Sequence, residues 1–161
     1  MAGWSVWADS WESGELANTS KFQSIKFNGN YIVKAFRTWI VVVDDPVFTS
    51  LSMKIYSNEV VSSKNTVKKL LHTSTDVRTK AEIHTLENGV KEIYFTFNDI
   101  PVQENTFYNV VINGVGYLPT SGSYLAWMKA FPDPIYGNNY TPALETINLA
   151  PYQIYAIGST Y

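Results

Sequence analysis

The segment 92–113, EIYFTFNDIPVQENTFYNVVIN, constrains the fold most, because it contains two strand patterns separated by a polar corner. The apolar positions of the two patterns are Ile93, Phe95, Phe97, Tyr108, Val110 and Ile112. Apolar residues at every second position are typical of half-buried β-strands. Asn98-Asp99-Ile100-Pro101 and Glu104-Asn105-Thr106 supply turn-forming residues between them. The segment therefore predicts two strands that fold back through a corner.

Comparable strand patterns recur along the chain with turn-forming residues between them, which predicts an antiparallel sandwich or barrel. We expect strands near 22–27, 31–43, 50–57, 68–76, 80–86, 91–98, 107–115, 123–130 and 152–158. The segment 31–43 is long and apolar on both faces, which predicts a bulge or burial on both sides. The segment 63–71 is short for a helix, so we favour a loop over 58–66 followed by a strand.

One domain accounts for the chain, since 161 residues can bury roughly two-thirds of their unfolded surface. We predict an all-β, antiparallel jelly-roll β-sandwich over residues 20–161. Residues 1–19 are expected to form an N-terminal aromatic arm or a first strand. The predicted core residues are Leu51, Met53, Ile55, Ile93, Phe95, Phe97, Val110 and Ile112.

Composition and charge argue against several classes of function. Cysteine is absent, so disulfides, thiolate catalysis and Cys-ligated metals are excluded. The net charge is −2 with both signs interspersed, so neither nucleic acid nor a membrane surface is an expected partner. The first 15 residues lack the charge and apolar pattern of a signal peptide. A content of 15% aromatic and 16% charged residues is typical of surfaces that bind sugars or proteins.

Metal sites are not predicted by the spacing of the histidines and acids. His72 and His84 lie in expected strands without a third ligand at zinc-like spacing. Asp44-Asp45 together with Asp99 or Asp133 would offer oxygen ligands for Ca²⁺, but no EF-hand spacing is present. Asp before proline is also an ordinary way to open a turn. We therefore expect neither a metal nor another cofactor.

The acids do not predict an enzyme. A glycoside hydrolase requires two carboxylates facing each other across a cleft. The candidate acids are Glu82, Glu87, Glu92, Asp99 and Glu104, and they fall in expected turns or strand ends. The chain also lacks GxSxG, GxxxxGK[ST], GxGxxG and HExxH. We predict a protein without catalytic activity, and a hydrolase is the weakest alternative.

Two aromatic groups are candidate contact surfaces. Trp4, Trp7 and Trp11 recur every three to four residues. They would dock an arm onto a neighbouring subunit or pack onto the core of their own domain, and both alternatives stay open.

The second group surrounds the loop 132–140. The candidate glycan contacts are Trp127, Tyr136, Asn138, Asn139 and Tyr140. Aromatic rings would stack on sugar rings, while asparagine side chains would bond their hydroxyls. The alternative is that the aromatic residues pin a loop that closes one end of the sandwich.

The order of the strands resembles a jelly-roll domain that recurs in phage and bacterial appendage proteins, including tail-fibre, head-fibre and decoration modules. The matching pieces are F-x-x-I-x-F at Phe22–Phe27, the strand after Asn28-Gly29-Asn30, LSMKIY at Leu51–Tyr56, KLLHTS at Lys69–Ser74, the run Tyr94–Ile112, YLAW at Tyr124–Trp127, the Tyr136-Gly137 loop and the strand Tyr152–Ile157. The family often has Gly- and Pro-rich sequence where this chain has Glu59–Thr66.

This resemblance implies a non-enzymatic phage virion protein, similar in fold to carbohydrate-binding modules. The implied role is a capsid or tail decoration or appendage subunit, made in the host cytoplasm and built into the virion. Its partners would be other virion proteins and further copies of itself. The alternative that the resemblance implies is an adhesin or receptor-binding domain for a host-surface glycan. A chain carrying this one domain fits a small stand-alone subunit better than a module of a long fibre.

Overall fold

A computed structural model describes residues 8–10, 21–84, 89–128, 144–145 and 154–160. The elements are β1 (Ala8–Ser10), β2 (Gln23–Phe27), β3 (Tyr31–Val43), β4 (Ser50–Val61), β5 (Lys64–Thr73), β6 (Arg78–Thr79), α1 (Lys80–His84), β7 (Gly89–Val102), β8 (Phe107–Val115), β9 (Tyr124–Met128), β10 (Leu144–Glu145) and β11 (Ile154–Thr160). These strands form two antiparallel sheets that pack face to face. The predicted all-β sandwich is confirmed, and its jelly-roll connectivity stays a prediction.

The first sheet, as far as the chain is described, has five strands and is organised around β3. One edge of β3 pairs with β7, while β11 and β9 pair end to end along the other edge. β1 lies beyond β9. The described part of the second sheet has six strands in the order β10-β2-β8-β4-β5, with β6 beside the start of β4.

The core lies between the two sheets, where the alternating apolar residues of both inner faces meet. All eight core residues predicted from the alternation are buried, and Phe95, Leu51 and Val110 are among those with no exposed surface. A fully buried side chain of this size contributes about 1.5 to 3 kcal/mol before its entropic cost is deducted. The strand-facing assignments made from the sequence are confirmed.

The long strand β3 is both bulged and buried on two sides, as its sequence predicted. Lys34 is skipped in the pairing with β11 and with β7. Gly158 lies opposite this irregularity, and an added Cβ there would stand 2.0 Å from the carbonyl oxygen of Ile32. Further along, Val41 is buried on the outer face and Val42 on the inner face.

The two strands predicted around the polar corner exist, but they belong to different sheets. β7 lies in the five-stranded sheet and β8 in the six-stranded sheet, so the chain crosses over the end of the sandwich between them. The corner is fixed by main-chain groups: the amide of Asn105 donates to the carbonyl of Phe27, and the amide of Glu104 donates to the side chain of Asn30. The crossover therefore closes one end of the core.

Two local predictions are wrong. The expected loop over 58–66 is a β-hairpin, because β4 continues to Val61 and β5 begins at Lys64. The expected strand over 80–86 is instead the short helix α1. Its start is a capping box, in which Thr79 Oγ1 accepts from the amide of Glu82 at 3.2 Å and a Glu82 carboxylate oxygen accepts from the amide of Thr79 at 3.2 Å.

The side chain of Asn109, on β8, links four strands of the six-stranded sheet. Its Oδ1 accepts from Ser24 Oγ on β2 at 2.6 Å. Its Nδ2 lies within bonding distance of three acceptors on β4 and β5, which are the carbonyls of Ser57 (3.3 Å) and Thr66 (3.1 Å) and Oδ1 of Asn58 (3.1 Å). Asn109 is fully buried, so this network satisfies an amide that would otherwise be costly to bury.

The network lies where the ladder between β4 and β5 is irregular. Register shifts occur between Ile55 and Tyr56 and again between Tyr56 and Asn58. A bulge leaves main-chain groups without their usual ladder partners. The Asn109 amide supplies a donor for two carbonyls at this point, and Ser57 Oγ accepts from the amide of Lys69 at 3.1 Å. Side chains thus replace the missing ladder bonds.

Replacing Asn109 by leucine is expected to lower the free energy of unfolding by about 3 kcal/mol, because the buried Ser24 hydroxyl and two part-buried carbonyls lose their partner. Urea unfolding followed by fluorescence measures this change. The matched control is Asn113→Leu, four residues further along β8. This substitution is expected to change the free energy of unfolding by about 0.5 kcal/mol or less. Equal effects of the two substitutions would contradict the role of the Asn109 network.

Candidate functional site

The hairpin formed by β4 and β5 extends beyond the rest of the six-stranded sheet. β8 pairs with β4 over Ser50–Ser57, whereas the outer part of β4, from Asn58 to Val61, pairs with β5 alone. The result is a two-stranded ribbon at the far end of the hairpin. In the described part of the chain, β5 pairs with β4 along one edge and its other edge is not paired.

Large apolar side chains are exposed on this hairpin. Val60, Val61, Leu70 and Leu71 are between 39% and 64% exposed. A single exposed apolar residue is ordinary, but several on one protruding element are typical of a surface that contacts another molecule. We name residues 58–73 the contact hairpin.

The contact hairpin carries positive charge on a chain that is acidic as a whole. Lys64, Lys68 and Lys69 lie on β5 and are exposed, and Glu59 is the acid of this segment. Burial lowers the pKa of His72 from its ordinary value, so this side chain is neutral at pH 7. Three lysines against one glutamate give a net charge of +2, and the chain total of −2 leaves −4 on the remainder.

The turn of the contact hairpin is made by two serines in the left-handed region. Ser62 has a φ of 51° and Ser63 a φ of 64°. Positive φ at both central residues is the signature of a type I′ turn, which favours Asn-Gly. The turn is supported by a bond from Thr66 Oγ1 to the carbonyl of Glu59 at 2.7 Å. Its geometry matches the twist of the strands, although serine is not the residue that fits it best.

A second feature is a pocket of about 230 Å³ at the edge of β7 that faces away from β3. It is lined by Arg78, Glu82, Ile83, Lys91, Glu92, Ile93 and Tyr94. Next to it, the same edge of β7 is occupied by the segment before β6. The amide of Thr75 donates to the carbonyl of Thr96 at 2.8 Å, and the amide of Thr96 donates to Oδ1 of Asp76 at 3.0 Å. The pocket lies next to the stretch of the β7 edge that Thr75 and Asp76 cover.

The guanidinium of Arg78 holds one wall of the pocket in place. It donates through Nε to the carbonyl of Tyr94 at 2.6 Å, through Nη1 to Glu82 at 3.1 Å, and through Nη2 to Asp76. The same Glu82 carboxylate caps α1 through Thr79. Bonds from Thr79 and Arg78 lower the pKa of Glu82, so its carboxylate is ionised at neutral pH.

The pairing of Glu82 with Glu92 in one pocket bears on the hydrolase alternative. A hydrolase needs a carboxylic acid with a raised pKa as proton donor. The pKa of Glu82 is shifted in the opposite direction, by its bonds to Thr79 and Arg78. Glu82 is therefore suited to holding the wall of the pocket and not to donating a proton.

Beside the pocket, Arg37 lies among aromatic side chains on the outer face of the five-stranded sheet. Its guanidinium carbon is 4.4 Å from the ring centroid of Tyr155 and 5.1 Å from that of Trp39. Burial acts to lower the pKa of Arg37, but Tyr94, Glu92 and Tyr155 together raise it above its ordinary value. Cation–π contact with Tyr155 and Trp39 stabilises the charged arginine on this face.

Trp127, predicted to contact a glycan, lies in the core. It has no exposed surface, and its Nε1 donates to Thr38 Oγ1 at 2.8 Å. Close by, the hydroxyl of Tyr117 accepts from the amide of Leu125 at 2.9 Å, and burial raises the pKa of Tyr117 to about 12. The buried ring of Trp127 offers no face to a sugar, so this part of the predicted site is wrong.

The other predicted site residues lie outside the described residues. These are the glycan candidates Tyr136, Asn138, Asn139 and Tyr140 and the arm residues Trp4, Trp7 and Trp11. Between Trp7 and Trp11, the strand Ala8–Ser10 pairs with Ala126–Met128 of the same chain. This stretch of the N-terminal segment is a strand of the domain's own sheet.

The described ranges contain neither a cluster of metal-ligating side chains nor a helix that could span a membrane. There, no three His, Asp or Glu side chains are grouped to hold a metal ion. Asp45 pairs with Lys80 at 3.0 Å, and Asp99 lies 3.7 Å from Lys34. Among the same residues, no helix has the length and apolar character needed to span a membrane.

Comparison with family models, curated proteins and solved structures found no match to this chain. The resemblance to phage appendage domains therefore stays a prediction.

The contact hairpin and the pocket were both missed from the sequence. The hairpin has a signal in the β-branched pair Val60-Val61 before Ser62-Ser63, but the turn lacks the glycine that usually marks it. The pocket depends on α1, whose signal is the spacing of Thr79 and Glu82.

The serine turn yields a stability prediction. Replacing Ser62 by asparagine and Ser63 by glycine is expected to raise the free energy of unfolding by about 1 kcal/mol, because both residues then tolerate positive φ. Thermal unfolding measures this as an increase of about 2 to 4 °C in Tm. The control is Ser63→Ala, which keeps a Cβ and is therefore expected not to raise Tm. A Tm that falls in the double variant would contradict the turn geometry.

Proposed function

We propose that this protein is a non-enzymatic structural subunit of a phage virion, a capsid or tail decoration or appendage protein. In this proposal the subunit assembles with further copies of itself through the contact hairpin. The observation that carries the assembly role is the exposure of Val60 and Val61 on the protruding ribbon and of Leu70 and Leu71 on the adjoining part of β5. The virion setting and the jelly-roll connectivity rest on the resemblance of the strand order.

Charge favours a contact between the hairpin of one copy and the body of another. The contact hairpin carries +2 while the remainder of the chain carries −4, so the two attract each other. Two hairpins placed side by side would bring Lys64, Lys68 and Lys69 of both copies together and repel. The proposed contact is therefore heterologous, with different surfaces on the two copies, which builds rings or filaments.

The N-terminal tryptophans are the second proposed contact. Trp4, Trp7 and Trp11 flank the strand Ala8–Ser10, which occupies the edge of β9. Deleting the arm would also uncover that edge, so substitution of the three tryptophans is a cleaner test than truncation. The proposal assigns the arm to docking on other virion proteins.

The assembly proposal is tested by light scattering on the purified full-length chain. We expect a defined oligomer that dissociates to monomer when Val60, Val61, Leu70 and Leu71 are all replaced by serine. These side chains are exposed, so each substitution should cost about 0.5 kcal/mol or less and the variant should stay folded. Weakening of self-association by added salt is also expected, because charges contribute to the contact.

The matched control replaces Val47 and Leu118, which are exposed and paired across a β-bridge elsewhere on the surface. Serine at these two positions is expected to leave the oligomer intact. A monomeric wild-type chain, or an oligomer that survives the hairpin substitutions but not Trp4→Ala/Trp7→Ala/Trp11→Ala, would contradict assembly through the hairpin.

A further inference from the structure

The pocket on the edge of β7 has a size and lining that are independent of the contact hairpin. Its volume of about 230 Å³ lies below the roughly 300 to 1,000 Å³ of sites for drug-sized ligands. It would therefore hold a ligand no larger than a single substituted ring. The buried side chains of Ile83 and Ile93 form the apolar part of its lining.

The charges around the pocket balance. Arg78 and Lys91 contribute two positive charges and Glu82 and Glu92 two negative ones. Arg78 is already bonded to two carboxylates and one carbonyl, so it offers little net attraction to an anion. A charged ligand therefore gains little electrostatic attraction in this pocket. A neutral ligand with hydroxyl groups, each able to donate and to accept, matches such a lining.

Two of the polar groups are held in position before any ligand arrives. Arg78 and Glu82 are fixed by the helix cap and by the carbonyl of Tyr94. Glu92 is exposed, and its negative charge contributes to raising the pKa of Arg37. Ordering costs are small when binding groups are fixed in advance.

The edge of β7 adds main-chain groups to the site. Tyr94 and Thr96 direct their main-chain groups away from β3, as the bonds from Arg78 and Thr75 show. Main-chain direction repeats every second residue, so the amide and carbonyl of Glu92 lie on the same edge. Tyr94 itself is 40% exposed at the pocket, and its ring is an apolar surface for the C–H face of a sugar.

We propose that this pocket binds one pyranose ring of a neutral glycan. Glu92 accepts bonds from sugar hydroxyls, the open edge of β7 supplies a donor and an acceptor, and Tyr94 contacts the apolar face of the ring. This candidate glycan site differs from the one predicted around Trp127. It lies on a different part of the sandwich and includes solvent-accessible residues. It rests on the pocket alone and not on the proposed assembly.

The test is saturation-transfer and chemical-shift NMR on the full chain with glucose, galactose, mannose and N-acetylglucosamine as probes. A ligand of this size is expected to bind with a dissociation constant on the order of 1 mM. Glu92→Ala and Tyr94→Ala are each expected to weaken binding about tenfold, with shifts confined to residues around the pocket. The matched control Glu59→Ala removes an exposed glutamate on the contact hairpin and should bind like the wild type.

Three outcomes would overturn the proposal. These are no saturation transfer from any of the four sugars at about 50 mM, binding that both pocket variants leave unchanged, and tighter binding of glucuronic acid or glucosamine than of glucose. The last would show that a charge, rather than the balanced lining, selects the ligand. The serine-substituted hairpin variant should bind sugar normally, so loss of assembly and loss of this site are separable.

Discussion

The buried amide of Asn109 is the interaction on which the six-stranded sheet depends. It lies at the point where β4 and β5 lose their regular register, and it bonds groups on β2, β4 and β5 at once. Without it, the buried Ser24 hydroxyl and two part-buried carbonyls beside the bulge would lose this partner, and an unsatisfied buried polar group costs about 1 to 3 kcal/mol. The carbonyls beside the bulge need a donor, and the buried Asn109 amide needs acceptors. Each therefore stabilises the other.

In the described part of the chain, the sandwich is open to other molecules at two places, one in each sheet. Beyond Ser57 the hairpin leaves β8 and continues as a two-stranded ribbon that starts at the bulge. On the other sheet, Thr75 and Asp76 cover one stretch of the β7 edge. The edge beside α1 remains open as the pocket. An unpaired strand edge is a site of association, and this molecule covers one part and leaves others accessible.

Sequence periodicity predicted much of the fold, and particular residues show why the rest was missed. Alternation gave the bounds of β8 and the eight core positions, because burial of one face imposes a period of two. The bounds of β3 followed from a long apolar run that ends at the turn residues Asp44-Asp45-Pro46. It gave no sign that Trp127 faces inward, since a strand has two faces and the pattern does not label them. The hydrogen-bonding role of Asn109 could not be predicted, because its partners lie 43 to 85 residues away in sequence. The Ser62-Ser63 turn and the short helix α1 were missed because each departs from the common length or residue choice.

Amide hydrogen exchange across residues 58–67, measured by NMR on dilute protein, tests the central claim most directly. The claim is that this segment is a preformed ribbon held at its base by Asn109. It predicts slow exchange for the amides that pair β4 with β5 in the wild type, and fast exchange for the same amides in a variant without the Asn109 side chain. Fast exchange throughout 58–67 in the wild type would show a loop, as the sequence had suggested, and would contradict the account.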